Sequence, residues 1–312
     1  MRKFMVVRPK GQKVKPKKHG KRSLNNKLDG VLNFSDYKKK RFRFVYFIFI
    51  FLLIAFVFLA VVPIIWLFIT SFKSVNEINS THYNLFPEVF DIQKMIDLWN
   101  RLDFGKYYLN TLIVVAGSML ASVVFNGLIA YAVAILKPVG HKIINGAIML
   151  AYMIPSALAI LPLMMQIKDF SLMNSYLPLC LVFGANAYYY MLFKDYFEKI
   201  PKSFIEAARI DGLGNLKIFF KVIIPQSKSI IGVVAIFAMT ASYSDFLLPY
   251  LVLQKEDFYT VMVEIYRISG TTQVDISEFL MLLVISMIPQ IIIFFIFQKQ
   301  IMGSSISAGV KE

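Results

Sequence analysis

Residues 44–70 read FVYFIFIFLLIAFVFLAVVPIIWLFIT, 27 consecutive positions without a charge. A helix of about 20 apolar residues crosses the hydrocarbon core of a bilayer, so this stretch predicts a membrane-spanning helix. Working outward, residues 107–136, 143–167, 170–193 and 279–298 are also uncharged, and 229–254 carries a single acid, Asp245. The runs are continuous and lack the ten-residue alternation of a transmembrane barrel. The expected fold is therefore all-α, a membrane protein of six transmembrane helices. Composition agrees: 57% of residues are hydrophobic, 17% are charged, and the mean hydropathy is +0.62, against about a quarter charged in soluble domains. The first run is too long for a signal-peptide core, and 43 residues precede it, so an uncleaved helix is expected.

The net charge of +15 is unevenly placed. Residues 1–43 hold 16 Lys and Arg against Asp29 and Asp36, which gives +14 and leaves +1 for the rest. A lysine-rich stretch of this kind cannot bury enough apolar area to fold, so 1–43 reads as a disordered basic arm. It suits anionic lipid heads, and no aromatic-interleaved fold accompanies it to favour nucleic acid. Loop 194–228 holds seven Lys and Arg, whereas 71–106 holds four against five acids and 255–278 two against five. With six spans, every basic loop falls on one side, which predicts that both termini are cytoplasmic.

The long basic loop reads IPKSFIEAARIDGLGNLKIFFKVIIPQSKS over residues 200–229. Ser203 and Glu206 have capping-box spacing. Gly212 supplies a left-handed stop, Asn215 can cap a second helix, and Pro225 should end it. The expected product is a short helix, a tight turn and a second helix. A surface helix presenting Phe204, Ile205, Ala207 and Ala208 could plug a groove on a partner or could rest on the bilayer. The residues alone leave both open.

The run Glu206-Ala207-Ala208, then Gly212, then Val222, Ile224 and Pro225 resembles the EAA loop of permease subunits of bacterial ABC importers, with Val and Ile at its two aliphatic positions. The resemblance extends over most of 44–312 and is greatest to the carbohydrate-uptake branch, the smaller maltose-transporter-like permease. Asn110-Thr111-Leu112-Ile113, Ala130-Tyr131-Ala132, Ile154-Pro155 with Pro162, and Ile200-Pro201 match it. It implies a six-span permease domain over 44–301 with a coupling loop at 200–228 that docks on a separate ATPase. The coupling residues would be Ser203, Phe204, Ile205, Glu206, Ala207, Ala208, Asp211, Gly212 and Pro225. It implies further that the cytoplasmic tail, 302–312, meets the ATPase through Ser307, Ala308, Gly309 and Val310. The implied partners are a second homologous permease, two ATPase subunits that hold the ATP, and an extracellular solute-binding lipoprotein or periplasmic protein. In span five the family has Trp-Asn-Asp; here Tyr243-Ser244-Asp245 stands, so no role resting on that Trp or Asn is carried over.

Other residues have local readings. Asp245 is the only charge within a span, and an intramembrane acid is a candidate for the translocation path. A hydrogen bond to a neighbouring helix is favoured over solute contact, because Pro249 already disturbs the helix there. Pro155 and Pro162 should break span three where it lines the path. The small residues Gly117, Ser118, Ala121 and Ser122 are expected to pack against the second permease, and Tyr188, Tyr189 and Tyr190 to form an interfacial belt. His19, His82 and His141 share no ligand spacing, Cys180 is alone, and no phosphate-binding loop or HExxH occurs, so neither a metal site, a bound cofactor nor an enzyme is expected. The rival functions are a permease for peptides, phosphonates or polyamines, and an ion-coupled transporter, which would need paired mid-membrane charges.

Overall fold

A computed structural model describes residues 40–81 and 84–309, with side chains over 44–81 and 84–298. Residues 1–39 of the basic arm and Val310 lie outside the described residues, while Lys40 to Arg43, expected in the arm, begin α1. The elements in order are α1 (Lys40–Ser71), α2 (Val75–Asn79), α3 (Ile92–Arg101), α4 (Phe104–Tyr131), α5 (His141–Met153), α6 (Ser156–Asp169), α7 (Leu177–Gly184), α8 (Ala187–Phe197), α9 (Lys202–Ile210), α10 (Asn215–Ile218), α11 (Ile224–Gln226), α12 (Lys228–Ser244), α13 (Leu247–Val252), α14 (Val261–Ser269) and α15 (Ile276–Gly309). A π-turn, Ala132–Leu136, prolongs α4, and another, Phe219–Ile223, joins α10 to α11. Among the described residues there is no strand.

The chain forms two compact units, residues up to Pro63 and residues from Ile64. In the first unit the large apolar side chains from Phe44 to Val62 are exposed. A helix apolar on every side suits lipid rather than water. In the second unit α4 is the axis, because its buried residues recur along its whole length, from Phe104 to Tyr131.

Among the described residues three helices are long and apolar enough to cross a membrane: α1, α4 with its π-turn, and α15. Two bent pairs bring the number to as many as five if each is one span: α5 with α6, bent by 104°, and the helices from Asn215 to Gln226 with α12, bent by 86°. The sequence treats 143–167 as one run, but Ile154 is extended (ψ 124°) and Pro155 starts a new helix. That is the restriction proline imposes on its predecessor. Pro162, by contrast, sits inside α6 without breaking it.

The run 170–193 is not one helix but α7 and α8, interrupted at Ala185 and Asn186. The groups freed there are satisfied within the chain. Buried Asn126 of α4 donates from Nδ2 to the Phe183 carbonyl at 2.8 Å, and its Oδ1 accepts from the Asn186 N–H at 3.0 Å. The Asn186 side chain then accepts from the Tyr189 N–H at 3.1 Å. A break in a helix is tolerated in apolar surroundings when neighbouring side chains satisfy it in this way.

The small-residue face of α4 does not wait for a second subunit. Ser118, Ala121 and Ser122 are buried within this chain, and Gly117 lies against Cys180 of α7. Tyr189 and Tyr190 are buried as well, the latter donating to Asn145 Oδ1 at 2.9 Å, so only Tyr188 suits an interfacial belt. At the other end of α4, Asn110 Nδ2 donates to the Asp257 and Tyr259 carbonyls, and Thr111 Oγ1 accepts from the Val261 N–H, each at 2.9 Å. These two residues of the matched pattern fasten the start of α14 to α4.

Candidate coupling site

The loop over 200–229 folds as two short helical pieces on a core made by the long helices. Pro201, with φ −59° and ψ 132°, precedes α9, which begins at Lys202. Ser203 is therefore already inside the helix, and the capping box expected with Glu206 does not form; the cap position is taken by proline, which has no such side chain. The stop is as expected. Gly212 has φ +76°, the Leu213 N–H donates to the Ala208 carbonyl at 3.0 Å, and the Gly212 N–H to that of Arg209 at 3.0 Å. This pair of bonds is a Schellman motif, which closes a helix over a left-handed residue.

The second piece starts one residue earlier than expected, with Gly214 at the cap and Asn215 the first helical residue. It runs past Pro225 to Gln226, and the chain turns at Ser227. Proline in a regular helix clashes with the carbonyl four residues back. The π-turn Phe219–Ile223 widens the backbone just ahead of it.

One core holds both pieces. Ala130, Tyr131, Val133 and Ala134 from α4 and its π-turn, Tyr190, Phe193 and Phe197 from α8, and Val234 and Ala238 from α12 enclose Ile205, Ala208, Ile218, Phe219 and Ile223. Phe219 reaches Gly127 so closely that a Cβ there would stand 3.3 Å from its ring. The Tyr131 hydroxyl donates to the Asn215 carbonyl at 3.2 Å, and that of Tyr196 to Gln226 at 3.0 Å.

Helix α9 consequently has two faces. Of the four residues expected to be presented together, Ile205 and Ala208 turn inward and are buried, whereas Phe204 and Ala207 are exposed. Ser203, Glu206, Asp211, Gly212 and Pro225 are also exposed. Ile210, not among the expected coupling residues, is 86% exposed, Phe204 46%, and Leu216 of α10 66%. Two large apolar side chains of α9 and one of α10 are thus left open. Helical spacing predicts the split: 205 and 208 are three apart on one side, 204, 207 and 210–211 on the other.

The remaining candidates lie away from this site. Asp245 ends α12 in an extended conformation (φ −70°, ψ 124°), and its carboxylate faces the backbone N–H groups of Leu248 and Leu247. Its partner is thus the start of the next helix along the chain. Pro155 and Pro162 lie on α5–α6, and Ser307, Ala308 and Gly309 belong to the helical backbone of α15. Asn126 was missed in the sequence; an amide set among apolar residues deep in the run 107–136 was the available signal.

Three comparisons bear on this architecture. Residues 123–302 match the family described as binding-protein-dependent transport system inner membrane component. The diacetylchitobiose uptake system permease NgcG of Streptomyces coelicolor is 30% identical, covering 79% of this chain and 82% of that protein. The melibiose/raffinose/stachyose import permease MelC of Bacillus subtilis is 27% identical over 80% of this chain and 91% of its own. A chain from the crystal structure of a bacterial ABC transporter involved in the import of the acidic polysaccharide alginate superposes with a TM-score of 0.75 at 24% identity, covering 84% of this chain and 98% of that one. The chain belongs to the family of inner membrane components of binding-protein-dependent transport systems. It is accordingly a multi-pass membrane permease subunit of an ABC transporter assembly, whose other parts are an ATPase and a binding protein.

Proposed function

We propose that this chain is one of two related permease subunits of an oligosaccharide importer and that α9 is its coupling helix. Two ATPase subunits sit beneath the pair and hold the ATP, and an extracellular binding protein delivers the solute. ATP-driven closure of the ATPases moves α9, and the rigid core under Ile205 and Ala208 carries that movement into α4, α8 and α12. The path then switches between inward- and outward-facing states, a two-state change biased by ligand. The observation that carries this reading is the open apolar face of Phe204, Ala207 and Ile210 on a helix whose other face is fixed in the core.

Six spans fit the reading if α7 and α8 together make the fourth, since Leu177 to Phe197 reaches about 30 Å at helical rise. Both termini are then cytoplasmic, with the seven basic residues of 194–228 on that side. Relatives named for diacetylchitobiose, raffinose and arabinooligosaccharides support a sugar as the solute.

The test replaces Glu206 by Ala and Gly212 by Pro and follows membrane insertion, ATPase co-purification and uptake of labelled diacetylchitobiose, raffinose and arabinooligosaccharide. Normal insertion with loss of the ATPase and of uptake is the expected result. Retention of both in the two variants overturns α9 as the coupling element.

A further inference from the structure

Beside the break between α12 and α13 three aromatic rings stand together and half open. Tyr266 of α14 lies 5.2 Å from Phe246, with 33° between the rings, and 5.0 Å from Tyr250, which it meets edge-on at 75°. Their exposures are 50%, 41% and 44% in that order. The large aromatics of the cores, Phe104, Tyr190, Phe193, Phe197 and Phe219, are closed off almost completely. The trio is therefore not core.

Lipid is a poor occupant. The last turn of α12 ends at Asp245 with its carbonyls lacking the next turn of helix to bond. A break of this kind next to a carboxylate costs several kcal/mol in hydrocarbon, so irregular backbone at this depth lines water or protein. Polar side chains gather at the same place. Ser244 Oγ accepts from Gln290 Nε2 of α15 at 2.8 Å, and the Asp245 carboxylate is only partly buried. Apolar walls with a few placed polar groups are the make-up of a small-molecule site. Here the apolar walls are ring faces, whose electron-rich surface meets the C–H faces of a pyranose, while hydroxyl, carboxylate and amide meet its hydroxyl groups.

We infer that Phe246, Tyr250 and Tyr266 form a carbohydrate-stacking platform on this subunit's share of the translocation path, with Ser244, Asp245 and Gln290 bonding sugar hydroxyls. This rests on the oligosaccharide reading above and adds to it that this subunit touches the solute itself. The platform binds weakly by design of its openness: a half-exposed stack holds one ring while leaving it free to move on.

The complex with its second permease, ATPase and binding protein is reconstituted in proteoliposomes, and uptake of labelled diacetylchitobiose, raffinose and arabinooligosaccharide is measured. Tyr266→Ala and Tyr250→Ala are expected to lower the rate of the transported sugar roughly five- to tenfold, the loss of one aromatic stack. Tyr266→Phe should stay within about twofold, since it keeps the ring. Co-purification of the second permease should be unchanged throughout. Wild-type uptake that both alanine variants retain in full overturns the platform and leaves the oligosaccharide reading standing. Loss of the second permease from the alanine variants shows the trio to be a subunit interface and also overturns it. Wild type that moves none of the three sugars overturns the oligosaccharide reading, and the platform with it.

Discussion

The sulfur of Cys180 on α7 fills the place where a side chain at Gly117 of α4 would begin, and the Cys180 Cβ lies 3.2 Å from that point. The two helices approach this closely because one residue in each is small. Gly117→Ala is therefore expected to force the helices apart and to cost about 1–3 kcal/mol, the usual penalty for overpacking. Cys180→Ala removes the obstruction, so the double variant should recover most of that loss. Thermal unfolding of the four proteins in one detergent checks it. A Gly117→Ala variant as stable as the wild type, or no recovery in the pair, refutes the packing account.

Helix α9 allows the docking face to be tested against the supporting face, residue by residue. Ile205→Asp places a charge in a closed core and should prevent folding of the loop, with a loss of several kcal/mol and little protein in the membrane. Phe204→Asp and Ile210→Asp lie in the open and should leave insertion intact. Each should weaken ATPase binding by about 1–2 kcal/mol, on the order of tenfold in affinity. Titration of purified ATPase against the permease in nanodiscs reads this directly. Equal binding by all three variants would remove α9 from the interface.

The sequence was sufficient where the physical requirement is local. Long uncharged runs announce membrane helices because lipid leaves the backbone no other partner, and the segment Glu206 to Pro225 is marked by residues whose backbone demands are local. Gly212 is left-handed, as such a position requires. What stayed hidden depends on partners distant in the chain. The Asn126 amide that satisfies the break at Asn186 lies 60 residues away, and an apolar run gives no sign that it will be interrupted. Likewise Gly117 and Ser118 show that something packs closely, but not that the something is α7. The capping box failed for a narrower reason: with Pro201 at the cap the helix starts two residues too early for Ser203 to cap it.

Glu264 on α14 is buried, and its side chain is paired with that of Arg267. The guanidinium donates twice, from Nε at 3.0 Å and from an Nη at 2.8 Å, and the carboxylate neighbour holds the Arg267 pKa above its ordinary value. Arg267→Ala leaves an acid without its partner inside the protein, at a cost of about 2 kcal/mol once the solvent reaching Arg267 is allowed for. Glu264→Gln in the same chain removes the charge and should restore roughly half of it. Chemical denaturation followed by the fluorescence of Trp99, with the natural Trp66 replaced by Phe, measures the series. A single Arg267→Ala variant no less stable than the double variant would show that the ion pair is not what keeps Glu264 inside.

Gly212 and Gly214 offer a comparison within one turn. Each has open space where a Cβ would go, with no atom within 4 Å, so neither substitution is resisted by a clash. They differ in backbone: Gly212 has φ +76°, Gly214 φ −73°. An alanine costs about 1–2 kcal/mol in the left-handed region and almost nothing in the extended one. Gly212→Ala should therefore loosen the end of α9, and Gly214→Ala should not. Amide exchange of Leu213, whose N–H closes the turn on the Ala208 carbonyl, should quicken roughly tenfold in the first variant only. ATPase coupling should follow the same order, because an α9 that frays at Gly212 transmits less of the ATPase movement to the core beneath it. Equal exchange in the two variants would mean that the turn is held by its surroundings and not by the conformation glycine permits.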